Sequence, residues 1–364
     1  VSGLEGVLAS NGNVILSAVD GDITLGDTAA LNDLSASTTI SVTVEGNERT
    51  FVLAPGARVE SLFNAGFNTF RADKMQLEGT ISVPTGLVAL LPHNSNKALD
   101  LGSTTDAAPN TLELSDAELS HVTADTLRIG HGVTGPIGIS SNITMTSTDT
   151  LRLTAGGGIT QTAPLQVANL ALASGASLLN VGNDVDVLSA QSVTGGVNFV
   201  DADGLTIGSV DFLNGMTMNN GSVVVTASTG PITVIDTSAT DDVRGNSVRL
   251  NAEGNEGVLT VQSGARVRVY NTWGELYADK MILNGIIDSA GKAVTIALET
   301  DPGPRMDTSF DQGYWGDPVI RSGPEPRVAT VAEINAMQGR VLKLLGGGGG
   351  GDDVVIELGS GGRA

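Results

Sequence analysis

Asp241-Asp242 and the tripeptide Gly130-His131-Gly132 are the residues of this chain best suited to acid–base work. Two carboxylates flanking a glycosidic bond can serve as its acid and its base, and an imidazole can carry a proton near neutral pH. The acidic pair follows His131 by more than a hundred residues, and a histidine in a Gly-rich turn is ordinarily a solvated turn residue. The expectation is therefore that no residue is catalytic. His93 and His121 show no metal-ligand spacing with each other or with a carboxylate. Aromatic side chains gather in two places: Phe63, Phe67 and Phe70, then Tyr270, Trp273 and Tyr277. Beside Arg58 and Arg71, or Arg266 and Arg268, such rings could stack on sugars; equally, they could cover a loop. Tyr314 and Trp315, within Asp311-Gln312-Gly313-Tyr314-Trp315-Gly316-Asp317, are less constrained. Tyr270, Trp273, Tyr277, Tyr314 and Trp315 are the ligand-binding candidates. Gly348, Gly349, Gly351, Asp353 and Val355 match one register of a calcium-binding nonapeptide. A calcium roll needs several stacked copies, so no metal or cofactor is expected there, although aspartate turns elsewhere admit calcium.

Composition removes whole classes. The 364 residues include no Cys, which excludes disulfides and thiolate zinc sites. Asp+Glu 40 against Lys+Arg 19 gives a formal charge of −21, which disfavours nucleic acid as a partner. No apolar run approaches the roughly 20 residues of a spanning helix, so membrane insertion is not expected. With 48 Gly and 12 Phe, Tyr and Trp together, the core must be built from Val, Ile, Leu and Ala. Small aliphatic side chains suit a narrow interior filled layer upon layer.

Short runs that alternate apolar and polar residues recur along most of the chain, as in Asn13–Val19, Ile40–Val44, Leu151–Thr154, Ser222–Thr226 and Val294–Leu298. Gly, Asn, Asp, Ser and Thr separate them, which is the pattern of half-buried strands joined by turns. Helical periodicity is missing from the first three hundred residues. Units of roughly 20 residues with very short strands fit solenoid coils better than a large antiparallel sandwich. Apolar residues such as Ile15, Leu127, Leu153, Ile207, Val224 and Leu250 are expected to stack inward. A long-range echo supports a modular rod. Pro55-Gly56-Ala57-Arg58 is followed by Ala72-Asp73-Lys74-Met75, and Ser263-Gly264-Ala265-Arg266 by Ala278-Asp279-Lys280-Met281, 208 and 206 residues later.

Leu114-Ser115-Asp116-Ala117-Glu118-Leu119 and Thr123-Ala124-Asp125-Thr126-Leu127-Arg128-Ile129-Gly130 resemble phrases of filamentous-haemagglutinin-like exoproteins. Leu151-Arg152-Leu153-Thr154-Ala155-Gly156-Gly157-Gly158 and Gly204-Leu205-Thr206-Ile207-Gly208 add to the likeness. It covers residues 1–300 in texture, with its specific phrases in 98–235. The resemblance implies a right-handed parallel β-helix in a structural or adhesive fibre, secreted by two-partner export or held at the bacterial cell surface. It also implies an outer-membrane transporter as partner during export, with glycans or host cells as later partners. The Asn-Pro-Asn motifs of that family's secretion domain are absent, as is a signal peptide, so the chain is expected to be a piece of a longer protein. Gly130-His131-Gly132 is similar to a tripeptide of polygalacturonase-like β-helix enzymes. A carbohydrate-binding solenoid and a polysaccharide lyase or hydrolase are thus the alternatives.

The expected organisation is a β-helix rod over 1–300, a Pro/Gly-rich loop over 301–330, an amphipathic helix over 331–345, and a Gly-rich linker with a terminal strand over 346–364. Within that helix Ile334, Met337, Val341 and Leu345 lie on one apolar face, able to cap the coils or dock another copy of the chain. Val354, Val355 and Ile356 belong to the terminal strand, Val354–Leu358. Unlike ends would let copies associate head to tail.

Overall fold

A computed structural model describes residues 6–28, 31–61, 66–192, 194–254, 257–290 and 292–298, with short backbone strands at 319–322, 325–328, 342–346 and 356–358. The chain is a parallel β-solenoid. It divides into two compact units, Val1–Val185 and Asp186–Ala364.

In the first unit the coils stack strand on strand in register. Val14–Ala18 pairs with Ile40–Val44, which pairs with Phe67–Arg71, each in parallel. The long strand Thr80–Leu91 continues the column through Val122–Ile129 and Thr148–Thr154 to Asn169–Ala173. Because side chains alternate across a strand, this register aligns one inward layer: Val42, Phe70, Leu90, Ile129, Leu153 and Leu172, all buried. Each such side chain contributes roughly 1.5–3 kcal/mol on burial. Phe51 and Phe70 stack inside with ring centroids 5.6 Å apart, so few aromatics suffice for so narrow a core.

One segment departs from simple coiling. Thr111–Leu114 pairs in parallel with Ala98–Leu101, whose other neighbour is Ile137–Ile139. Residues 102–110 therefore carry the chain back to add a strand out of order. The helix Asp116–Ser120 follows, started by a capping box in which Ser115 and Glu118 satisfy each other's backbone N–H groups. This short helix departs from the expectation of no helix in the first three hundred residues, because one capped turn is too short to show helical periodicity.

The second unit repeats the logic. Val197–Asp201, Val223–Ala227, Val248–Ala252, Trp273–Ala278 and Ala293–Leu298 form one parallel column. Phe199, Val225, Leu250, Leu276 and Ile296 stack inward along it. Ser209–Val210 and Leu213–Asn214 form a small antiparallel hairpin, with Asp211 and Phe212 at its tip in left-handed backbone.

Of the apolar residues expected inside, Leu127, Leu153, Ile207 and Leu250 are buried. Ile15 instead lies 73% exposed, with Val14 the inward residue. Val224 is half-buried, and its neighbours Val223 and Val225 point inward. Both misplaced residues sit in unbroken apolar runs, where alternation cannot set the phase and only pairing register does.

The helix expected over 331–345 is corrected at its end. Leu342–Gly346, which includes Leu345, is a strand paired in parallel with Ala293–Leu298. An unpaired sheet edge offers backbone hydrogen bonds that outweigh the modest helix propensity of a short apolar run. Ile334, Met337 and Val341 lie outside the described residues. Within the expected loop, Val319–Ser322 and Glu325–Val328 form an antiparallel pair. Ile356–Leu358 is a strand against Lys280–Leu283; Val354 and Val355 are outside the description.

The echo read in the sequence widens into a structural duplication. Gly6–Asp33 matches Gly215–Asp242 at an offset of 209 residues, sharing Asn-Gly, Ile-Thr and Asp-Thr pairs. Ile40–Ser61 matches Val248–Val269 at 208, including Glu-Gly-Asn-Glu, and Phe67–Val83 matches Trp273–Ser289 at 206. Strand pairings agree copy for copy: Ile23–Leu25 with Thr50–Leu53 with Lys74–Leu77, against Ile232–Val234 with Val258–Val261 with Lys280–Leu283.

Candidate functional site

The duplication shows what Asp242 does. It is fully buried, and its Oδ1 accepts hydrogen bonds from the Thr237 N–H at 2.7 Å and the Thr237 hydroxyl at 2.6 Å. Its Oδ2 accepts from the Arg266 N–H at 2.7 Å. Asp33, its counterpart, accepts from Thr28 N–H at 2.8 Å, Thr28 hydroxyl at 2.6 Å and Arg58 N–H at 2.8 Å. The carboxylate thus pins a turn to the next coil in both copies. Asp241 is buried beside two guanidinium groups, with Arg266 Nε at 3.2 Å and Arg268 Nη1 at 3.7 Å. Asp288 also receives Arg266 and, at 4.0 Å, Arg268. The pair singled out as an acid–base candidate is therefore committed to turn and coil contacts.

His131 is likewise engaged in its turn. Its backbone N–H donates to the Thr134 hydroxyl at 2.8 Å, its Nδ1 accepts from the Val133 N–H at 3.3 Å, and its Nε2 lies 3.4 Å from the Pro92 carbonyl. Burial pushes its pKa below the ordinary value, outweighing the opposing Pro92 contact, and the Arg71 charge adds to the lowering. Among the described residues, no group of three or more Asp, Glu or His is placed to hold a metal ion.

Three of the five ligand-binding candidates are brought into arginine contacts in the second unit. Residues 273, 275 and 277 share the outward face of their strand, and Arg249 sits beside Glu275 on the neighbouring strand. The Arg249 guanidinium lies 5.5 Å from the Trp273 ring and 5.9 Å from the Tyr277 ring, while its Nε donates to Glu275 at 2.6 Å. Such contacts fix the rings by cation–π attraction yet leave Trp273 39% exposed. Tyr270 is elsewhere on the same unit, with the Arg244 guanidinium 5.1 Å over its ring. Tyr314 and Trp315 lie outside the described residues. In the first copy the positions of Arg249, Glu275 and Tyr277 are Ser41, Thr69 and Arg71, so this face is a decoration of one copy only. Phe67, in the place of Trp273, is 49% exposed with Arg128 5.5 Å over it.

A second chemical cluster lies in the first unit, where the out-of-order strand closes over two lysines. Lys74 Nζ is 3.5 Å from Glu113 Oε2 and donates to the Ala108 carbonyl at 2.5 Å. Glu113 also accepts from Ser103 Oγ at 2.6 Å and the Ala108 N–H at 2.7 Å. Lys97 contacts Asp73 and Glu48. The Ala-Asp-Lys-Met phrase carries no local sign of this cluster, because Glu48 and Lys97 come from neighbouring coils and Glu113 from the folded-back strand. Lys280, the counterpart of Lys74, is exposed.

Asp33 and Glu113 have opposing influences. Burial alone would raise both carboxyls; hydrogen bonds from Thr28 and Arg58 to Asp33, and from Ser103, Ala108 and Lys74 to Glu113, outweigh it and hold both below the ordinary range. Asp106 goes the other way, raised by burial and by the Glu118 and Glu113 charges. A lowered carboxyl stabilises the fold above its unfolded pKa, near 4, and that stability disappears as pH falls through the folded value. Melting temperature should therefore stay level from neutral pH down to about pH 5 and fall steeply below about pH 4. Glu113→Gln should flatten the fall; an unchanged acid limb would refute this assignment.

Compared with protein-family models, characterised proteins and solved structures, the chain matches none.

Proposed function

We propose that this chain is a structural and adhesive segment of a secreted or cell-surface, filamentous-haemagglutinin-like fibre, with no catalytic role. The duplication carries the reading. Buried and turn residues recur between copies, as with Asp33 and Asp242 or Gly56 and Gly264, whereas outward residues change freely, as Ser41 does to Arg249. A scaffold that repeats its coils and varies its surface suits display along a fibre. The Trp273–Arg249–Tyr277 face is then the adhesive surface. Its exposed ring beside the Arg249–Glu275 pair also favours a second reading, a carbohydrate-binding solenoid.

Beads coated with the chain should adhere to cultured epithelial cells, and Trp273→Ala with Tyr277→Ala should remove most of that adhesion. Competition by soluble neutral oligosaccharides would favour the second reading. Beads that never adhere above an albumin coat, or a chain that releases reducing ends from pectin-like substrates, would overturn the proposal.

A further inference from the structure

Lys97 is fully buried in the first unit, its Nζ 3.1 Å from Oδ2 of the equally buried Asp73 and in contact with the Glu48 carboxylate. We propose that Lys97 and Asp73 condense into an intramolecular isopeptide bond, with Glu48 carrying the protons. The inference is independent of the adhesive reading, since it uses none of the residues of the arginine–aromatic face.

The chemistry needs a free amine, a carboxyl that can lose one oxygen, and a shuttle between them. Glu48 relays one proton from the Lys97 ammonium to Asp73 Oδ2, which leaves a neutral amine facing a neutral carboxyl, and the nitrogen lone pair attacks Cγ. As the Cγ–Nζ bond forms, negative charge gathers on the carboxyl oxygens. Oδ1 already accepts the Asn94 N–H at 2.9 Å, and Oδ2 accepts Asn94 Nδ2 at 2.6 Å and the Glu48 N–H at 3.1 Å. Donors aimed in advance at developing charge are the usual means of lowering such a barrier. Glu48 then relays a second proton from Nζ to Oδ2. The Cγ–Oδ2 bond breaks and that oxygen departs as water. One hydrogen remains on the amide nitrogen, the two opposite charges cancel, and no further reactant enters.

Burial supplies the direction. In water, solvation of the separated ions favours the uncondensed state. Here neither Lys97 nor Asp73 is exposed, so two desolvated charges give way to one neutral amide. In the ion-paired state burial would raise the Asp73 carboxyl, and the bonds from Asn94, Lys97 and Glu48 outweigh it and hold it low. Glu48, the proton carrier, has a φ of 56°, which is uncommon for a residue with a side chain. That backbone sets its N–H on Asp73 while its carboxylate meets Lys97. Lys74 is 3.5 Å from Glu113 and 3.9 Å from Glu48, and among the described residues no carboxyl lies as close to it as Asp73 does to Lys97. The product would join the segments entering Lys74–Leu77 and Ala98–Leu101, a covalent staple in a chain without cysteine.

Intact-mass spectrometry of the full chain tests this. The folded protein should be lighter than its sequence by one water, and digestion should yield a branched peptide joining the Asp73 and Lys97 segments. Chain purified in denaturant before folding should carry the full sequence mass and lose the water on refolding. Asp20-Gly21 and Asp203-Gly204 can also lose water by succinimide formation, but only the crosslink disappears in Lys97→Arg and in Glu48→Gln. A folded wild-type chain of full sequence mass, or a dehydrated one whose peptides contain linear, unmodified Lys97, would overturn the proposal whether or not the variants fold.

Discussion

Asp242→Ala should lower stability by about 3–5 kcal/mol, because it strips the acceptor from three donors at once. The Thr237 and Arg266 N–H groups and the Thr237 hydroxyl all converge on this one buried carboxylate. Asp242 is fully buried, so the stranded donors would be left away from the surface. A unit of this size should then melt about 10 °C lower. Asp33→Ala should do the same to the first unit through Thr28 and Arg58. Asn at either position keeps one acceptor and should cost less. Thermal and urea unfolding followed by circular dichroism measure the effect. A shift under about 1 kcal/mol would mean that the turn finds other partners and that this carboxylate is no pin.

Gly215→Ala should be comparably severe for a different reason. Gly215 has φ +66°, and a Cβ placed there would stand 2.0 Å from the Asp242 carbonyl oxygen. That carbonyl accepts the Met216 N–H at 2.7 Å, one of the bonds that joins successive coils. The methyl group must therefore push apart the coil stack it belongs to, beyond the 1–2 kcal/mol of left-handed backbone itself. Loss of about 3 kcal/mol or more is expected. Gly12→Ala serves as the control, since nothing lies within 4 Å of its Cβ position and the cost should be a few tenths of a kcal/mol. Equal melting temperatures for the two variants would show that the coils relax freely around position 215.

The solenoid was legible because its cause is local and repeated. Short alternating strands separated by Gly, Asn and Asp leave few other ways to bury small aliphatic side chains. The 206-residue echo was legible as well, although only as a fragment of a duplication that reaches back to Gly6 and Gly215. The aromatic candidates Tyr270, Trp273 and Tyr277 could be named from spacing, but their arginine partners belonged to other strands. Arg249 stands 24 residues before Trp273, and only parallel register sets the two side by side.

Composition and periodicity by themselves determined the class of fold, the aliphatic core and the absence of thiol chemistry, since these depend on residue type and on neighbours within a few positions. Tertiary structure decided the phase of each uninterrupted apolar run: Val14 rather than Ile15 faces the core. It also converted Asp242 from half of an acidic pair into a turn pin, and it enclosed Lys97 with Asp73 and Glu48. The reason is the same in each case. A side chain's environment in a solenoid comes from the coils above and below it, roughly 20 or more residues away in the chain, and no local pattern records which residue will lie there.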